Sequence, residues 1–226
     1  MISLRENRSK PAVKICGITD PEQALSIAAF GADAIGVIGV AGTPRFVAEP
    51  LRREIFKALE QNADDVQRVW VVADMDDDSL DAALKGQGTP TVVQLHGGES
   101  PERCIALKQR HPQVNWWKAL RLRSSQDLHS MEAYVQSVDA LLLDAWSPDQ
   151  LGGTGHRLSL DGLNAIELSL PWWLAGGISA EWIPELLNRV NPDGLDASSR
   201  LEDFPGRKNL EKVKELIDAV QKNSCC

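Results

Sequence analysis

The chain is short of positive charge, with 24 Lys and Arg against 32 Asp and Glu and a net charge of −8 over 226 residues. That balance argues against nucleic acid or an anionic membrane as the main partner, because both require a basic face. Cysteine is equally sparse. Cys16 and Cys104 stand alone, and Cys225 and Cys226 are adjacent at the end. No CxxC pair occurs, and no cysteine groups with a histidine at zinc-binding spacing, so reduced thiols and no metal site are expected. The final Cys-Cys has neither a basic tail nor a partner motif for lipidation and reads as the tip of a frayed tail. Long hydrophobic runs are missing too: none approaches the ~20 residues of a membrane-spanning helix. The opening MISLRENRSKPA lacks the apolar centre of a signal peptide, which makes a cytoplasmic location the expectation. Linkers and low-complexity stretches are also lacking. We therefore expect one domain over 12–222, a flexible extension over 1–11 and a frayed tail over 223–226.

What is present is a rhythm. From residue 12 onward, short β-rich apolar runs alternate with amphipathic helical stretches. AVKIC (12–16) reads as a strand and PEQALSIAAFGA as a helix, with Thr19 or Asp20 as cap, Pro21 in the first turn and Gly31 as stop. The alternation continues through ADAIGVIGV, RVWVVAD, PTVVQLHG, VNWWKALRL, DALLLDAW, WWLAGG and PDGLDASS as strands. Helices are expected between them, including SSQDLHSMEAYVQS and a segment near LSLDGLNAIEL, and NLEKVKELIDAVQK closes the chain. About eight β/α units in little more than 200 residues is the size of a (β/α)₈ barrel. A doubly wound sheet uses fewer strands, and no dinucleotide-binding glycine fingerprint follows the first strand.

The most informative stretch is LLLDAWSPDQLGGTG, residues 141–155. A leucine run stopped by Asp144 has the form of a parallel strand buried on both faces, with its carboxylate at the C-terminal mouth. The glycine-rich turn behind it, including Gly153 and Gly155, offers backbone N–H donors to an anion such as phosphate. An acid beside an anion cradle points to a small phosphorylated substrate. Gly176 and Gly177 after the seventh strand, and Ser198 and Ser199 after the eighth, occupy the usual phosphate position of a barrel.

Residues two apart on a strand share a face, and this counting puts Lys14, Cys16, Lys118, Asp144 and Asp196 inside the barrel. Two lysines and two aspartates in one interior require pairing, so Lys14 and Lys118 are read as partners of core ion pairs rather than catalytic groups. Cys16 closes the first strand before Gly17. It fits either a packing thiol or a base whose pKa a nearby cation lowers. Asp144 fits a functional acid or an acceptor of loop N–H groups. Arg45, in GTPRFV, is a forked cation suited to a carboxylate, or else a surface arginine. His96, at the end of QLHG, is a polar group at the mouth, or a histidine bonded to loop backbone. Adjacent tryptophans on one strand face opposite ways, so Trp116–Trp117 and Trp172–Trp173 are assigned to barrel and helix core.

Taken in order, KICGIT, TPRFV, VVQLHG, LLLDAWSP with GGTG, LAGGIS and LDASSRLEDFPGRKN resemble the phosphoribosylanthranilate isomerase family of tryptophan biosynthesis. The resemblance runs from residue 13 to about 213. It implies a cofactor-free Amadori rearrangement with Cys16 as general base, Asp144 as general acid and Arg45 on the anthranilate carboxylate. It also implies substrate contacts from His96, Gly153, Gly155, Gly176, Gly177, Asp196, Ser198 and Ser199. A monomer is the first expectation for assembly, with a homodimer as the alternative. Trp146 is the candidate to wall the anthranilate ring.

Three departures stand out. LSL (158–160) replaces the family's FDW, Arg200 stands where glycine is usual, and the loop after the second strand is short. None removes the acid, the base or the clamp. Two competing readings are the histidine-pathway isomerase, whose first strand ends in an aspartate where this one ends in Cys16, and an inactive barrel kept as an interaction module. The latter needs a lost catalytic group, and none is lost.

Overall fold

The computed structural model describes residues 10–122, 125–145, 160, 163 and 168–223. Eight strands close into a barrel in chain order: β1 (Ala12–Cys16), β2 (Ala34–Ile38), β3 (Gln67–Val72), β4 (Val92–Leu95), β5 (Asn115–Leu122), β6 (Ala140–Ala145), β7 (Trp172–Ala175) and β8 (Gly194–Ala197). Each is parallel to its neighbours, and β8 returns to β1 through the register Lys14↔Asp196. This is the expected (β/α)₈ architecture.

Helices α1 (Pro21–Ala29), α2 (Glu49–Asn62), α3 (Asp77–Ala83), α4 (Pro101–Arg110), α5 (Ile183–Arg189) and α6 (Leu210–Lys222) wrap the outside. Their starts follow from local chemistry. The Asp20 carboxylate accepts the Glu22 and Gln23 N–H groups, Ser100 caps α4 through the Arg103 N–H, and Asn209 caps α6 through that of Lys212. Helix α6 buries Val213, Leu216, Ile217 and Val220, spaced i, i+3, i+4 and i+7. Each such side chain is worth about 1.5–3 kcal/mol of burial, more than this helix could gain from propensity alone.

Two apolar layers result. The larger lies between strands and helices and takes Trp116 and Trp172. The smaller fills the barrel with Ala12, Ala34, Val69, Val92, Trp117, Ala119, Ala140, Leu142, Trp173 and Ala175. Trp117 and Trp173 meet inside it with ring centroids 4.7 Å apart, as the alternation of adjacent tryptophans requires.

That same alternation overturns one expectation. With Trp117 and Ala119 inside, Lys118 is on the outer face of β5, where it pairs with Glu99 at 2.9 Å. Glu99 also accepts the Asp74 and Gly97 N–H groups, so this pair fixes the loop after β4 from outside the barrel. Two segments also differ in local form. The stretch expected as an α-helix after β5 folds as a 3-10 helix over Ser125–Tyr134. Between β8 and α6 a hairpin, β9 (Glu202–Phe204) with β10 (Arg207–Lys208), appears where no strand was expected. The helix expected near LSLDGLNAIEL falls largely outside the described residues. No helix among them is long and apolar enough to cross a membrane.

Candidate active site

Cys16 ends β1 with its side chain in the barrel and is 7% exposed. The facing position on β2 is Gly36, where a Cβ would lie 2.8 Å from the thiol sulfur, so only glycine leaves room for it. One layer down, Lys14 donates to Asp196 at 2.9 Å. The expected interior ion pair is thus Lys14 with Asp196, joining β1 to β8. Burial raises the Cys16 thiol above its ordinary value, while Lys14 and, less strongly, Lys208 pull it back. Burial opposes the charge on Lys14, but Asp196 and Cys16 outweigh it and hold its pKa above the ordinary lysine value. Burial likewise raises Asp196.

Asp144, next to last in β6, faces inward with Leu142 and is 6% exposed. His96 Nε2 lies 3.6 Å from its Oδ2, too far for a hydrogen bond. On the other side of the imidazole, the Gln94 amide nitrogen is 3.1 Å from Nδ1. Gln94 is two residues before His96 and shares its face. Arg121 is the register partner of Asp144 and donates from Nη2 to the His96 carbonyl at 3.0 Å.

Arg45 follows β2 and is only 7% exposed. The carboxylate it clamps here belongs to the hairpin: Nε meets Glu202 Oε1 at 2.8 Å and Nη2 meets Oε2 at 2.7 Å. Glu202 also takes the Lys208 ammonium at 2.6 Å. Ser198 Oγ donates to the Cys16 carbonyl at 2.9 Å, tying the turn after β8 to the end of β1. Gly176 and Gly177 follow β7 in left-handed conformations, at φ 100° and 69°. Ser199 and the exposed Arg200 lie in a short 3-10 turn, Ser199–Leu201.

All these groups lie at or near the carboxyl ends of β1, β2, β4, β6, β7 and β8, the face where barrels carry ligands. The site residues read from the sequence converge there, except that Gly153, Gly155 and Trp146 lie outside the described residues. Gln94, Arg121, Glu202 and Lys208 were missed. The first two could have been found by counting in twos from His96 and from an inward Trp117. Among the described residues no group of His, Cys, Asp and Glu could hold a metal ion. The donors that are present, a thiol, a carboxyl group, an imidazole and buried cations, suit proton transfer on an anionic substrate.

A family model, N-(5'phosphoribosyl)anthranilate (PRA) isomerase, matches residues 13–219. The chain belongs to the phosphoribosylanthranilate isomerase family. The family member of Synechococcus elongatus is 43% identical over 212 residues, covering 94% of this chain and 97% of its own. That of Thermosynechococcus vestitus is 41% identical over 213 residues, covering 94% and 91%. In three dimensions, the phosphoribosyl anthranilate isomerase of Thermotoga maritima is 28% identical, with a TM-score of 0.81 over 94% of this chain and 99% of its own. Another solved phosphoribosyl anthranilate isomerase holds reduced 1-(o-carboxyphenylamino)-1-deoxyribulose 5-phosphate; it is 28% identical, with a TM-score of 0.77 and the same coverage. Family membership thus extends across the strands that carry Cys16, Arg45, His96, Asp144 and Ser198.

Proposed function

We propose that this chain converts N-(5'-phosphoribosyl)anthranilate to 1-(2-carboxyphenylamino)-1-deoxyribulose 5-phosphate in tryptophan biosynthesis, with Asp144 as general acid and Cys16 as general base. One observation carries the assignment of roles: within a shared mouth, an inward thiol closes β1 and an inward carboxyl group stands next to last in β6, each beside a nitrogen base or cation.

Asp144, protonated in the closed complex, gives its proton to the furanose ring oxygen as the bond from that oxygen to C1 breaks. The anthranilate nitrogen supplies its electron pair and becomes an iminium ion. The Cys16 thiolate then takes the C2 proton, and the released pair forms an enolamine. That intermediate becomes the ketone when C1 gains a proton and the enol oxygen loses one. No cofactor is needed, because the substrate nitrogen is the electron sink. Arg45 holds the anthranilate carboxylate. Gly176, Gly177, Ser198 and Ser199 hold the phosphate, and His96 and Asp196 contact the substrate.

A turnover assay following loss of the anthranilate adduct's fluorescence tests the activity. Turnover of this substrate and none of the histidine-pathway analogue is expected. A folded protein that turns over neither substrate overturns the proposal and favours a barrel kept for interaction alone.

A further inference from the structure

Glu202 and Lys208 are not part of the acid, the base or the phosphate cradle, yet each is engaged at the mouth. Lys208 is 2% exposed. It donates to Glu202 Oε1 at 2.6 Å, to the Ser198 carbonyl at 3.2 Å and to Ser198 Oγ at 3.4 Å. Glu202 in turn occupies one edge of the Arg45 guanidinium, the Nε–Nη2 edge. A guanidinium has five N–H donors in a rigid fork, so this grip immobilises the group and leaves the Nη1 side for a second carboxylate. Arg45 is also pressed from below, since a Cβ on Gly17 would lie 2.6 Å from its Cδ.

Charge explains why two residues are needed. Arg45 with Glu202 alone would be a neutral pair, a poor receptor for a further carboxylate. Lys208 restores a net positive charge to the cluster, and three charges this buried stay ionised only when fully bonded to one another. The first loss expected on removing the Glu202 charge is therefore the fixed direction of the Arg45 fork.

We propose that Glu202 and Lys208 are positioning residues for substrate recognition, a buried Arg45–Glu202–Lys208 chain that aims Arg45 at the substrate carboxylate and ties it to the Ser198 turn. The inference rests on the reading that Arg45 binds the anthranilate carboxylate and adds how that arginine is aimed. It concerns the hairpin β9–β10, whose role would then be to deliver this pair.

The test is calorimetric binding of two probes to the full chain: reduced 1-(o-carboxyphenylamino)-1-deoxyribulose 5-phosphate, and the same compound lacking the ring carboxylate. Wild type should prefer the carboxylated probe. Glu202→Gln, which keeps the size of the side chain, should weaken the carboxylated probe about tenfold and leave the other unchanged, as loss of an aimed charge–charge contact does. In turnover, its KM should rise more than its kcat falls. Lys208→Met should behave alike if it folds, and Glu202→Gln carries the test if it does not. Equal weakening of both probes in a protein of wild-type melting temperature, or weakening of neither, overturns the positioning role while leaving the clamp intact. No preference in wild type overturns the clamp reading, and this inference with it.

Discussion

His96 Nε2 faces Asp144 Oδ2 at 3.6 Å while the Gln94 amide nitrogen lies 3.1 Å from Nδ1. The imidazole stands between the Gln94 amide and the Asp144 carboxyl group at the barrel mouth. The carboxyl group is thus flanked by a polar pair before substrate arrives.

Asp144→Asn should therefore bind the reduced product analogue with wild-type affinity and lose turnover. General acid catalysis contributes about 10²–10⁴ in rate, so kcat should fall at least that far. Steady-state kinetics beside calorimetric binding checks this. A purified variant with near-normal kcat rules out the role.

The Cys16 thiol is raised by burial and only partly pulled back by Lys14 and Lys208. A base that must be anionic and has a raised pKa gains active fraction as pH increases, so kcat/KM should climb through neutrality and into the alkaline range. Cys16→Ser should fold and be nearly inactive at every pH, because a serine hydroxyl stays protonated. The rate of alkylation at Cys16, read by mass spectrometry across pH, should follow the same rising limb in wild type. Activity that survives complete alkylation would place the base elsewhere.

Glu99 and Lys118 make a stability prediction apart from catalysis. Burial pushes the Glu99 carboxyl group up, but Lys118 and the backbone N–H groups bring it below its ordinary value. A carboxylate with a depressed folded-state pKa stabilises the fold above its unfolded pKa, and loses that contribution as pH falls through the folded value. Breaking a buried pair on one side costs about 3–5 kcal/mol. Glu99→Gln should thus unfold at lower urea at pH 7, and its deficit should shrink below about pH 4, near the ordinary carboxylate range. A deficit independent of pH contradicts the assignment.

Arg52 predicts the opposite sign. It is 1% exposed, its guanidinium lies 4.5 Å from the Trp70 ring centroid, and none of its three nitrogens has a hydrogen-bond partner among the described residues. Burial lowers its pKa to about 10. Its contact with Trp70, at about 2 kcal/mol for a desolvated cation over an aromatic ring, and a long 3.9 Å ion-pair approach of Nη2 to the exposed Glu49 offset only part of that cost. Arg52→Met keeps an unbranched stem and removes the charge, so the melting temperature should stay level or rise. A fall of more than about 2 kcal/mol in stability, beyond the usual cost of a neutral exchange, would show that the cation is needed.

The sequence by itself determined the barrel, because eight apolar runs and the capped, amphipathic stretches between them are local patterns, and only a closed parallel sheet buries them all. It also put Cys16, Arg45, His96, Asp144 and Asp196 at or just beyond strand ends, since each ends or closely follows one of those runs, while their roles came only from the family resemblance. Lys118 was misplaced because a period of two fixes relative faces but not which face is inside; the packing of Trp117 on Trp173 decided that. The partners Glu99, Glu202 and Lys208 were beyond local pattern for a different reason. Charged residues in loops look alike in sequence whether they face solvent or a buried cation. Only the closing of the barrel brings Glu202 against Arg45, which is 157 positions away along the chain, and makes the two charges depend on each other.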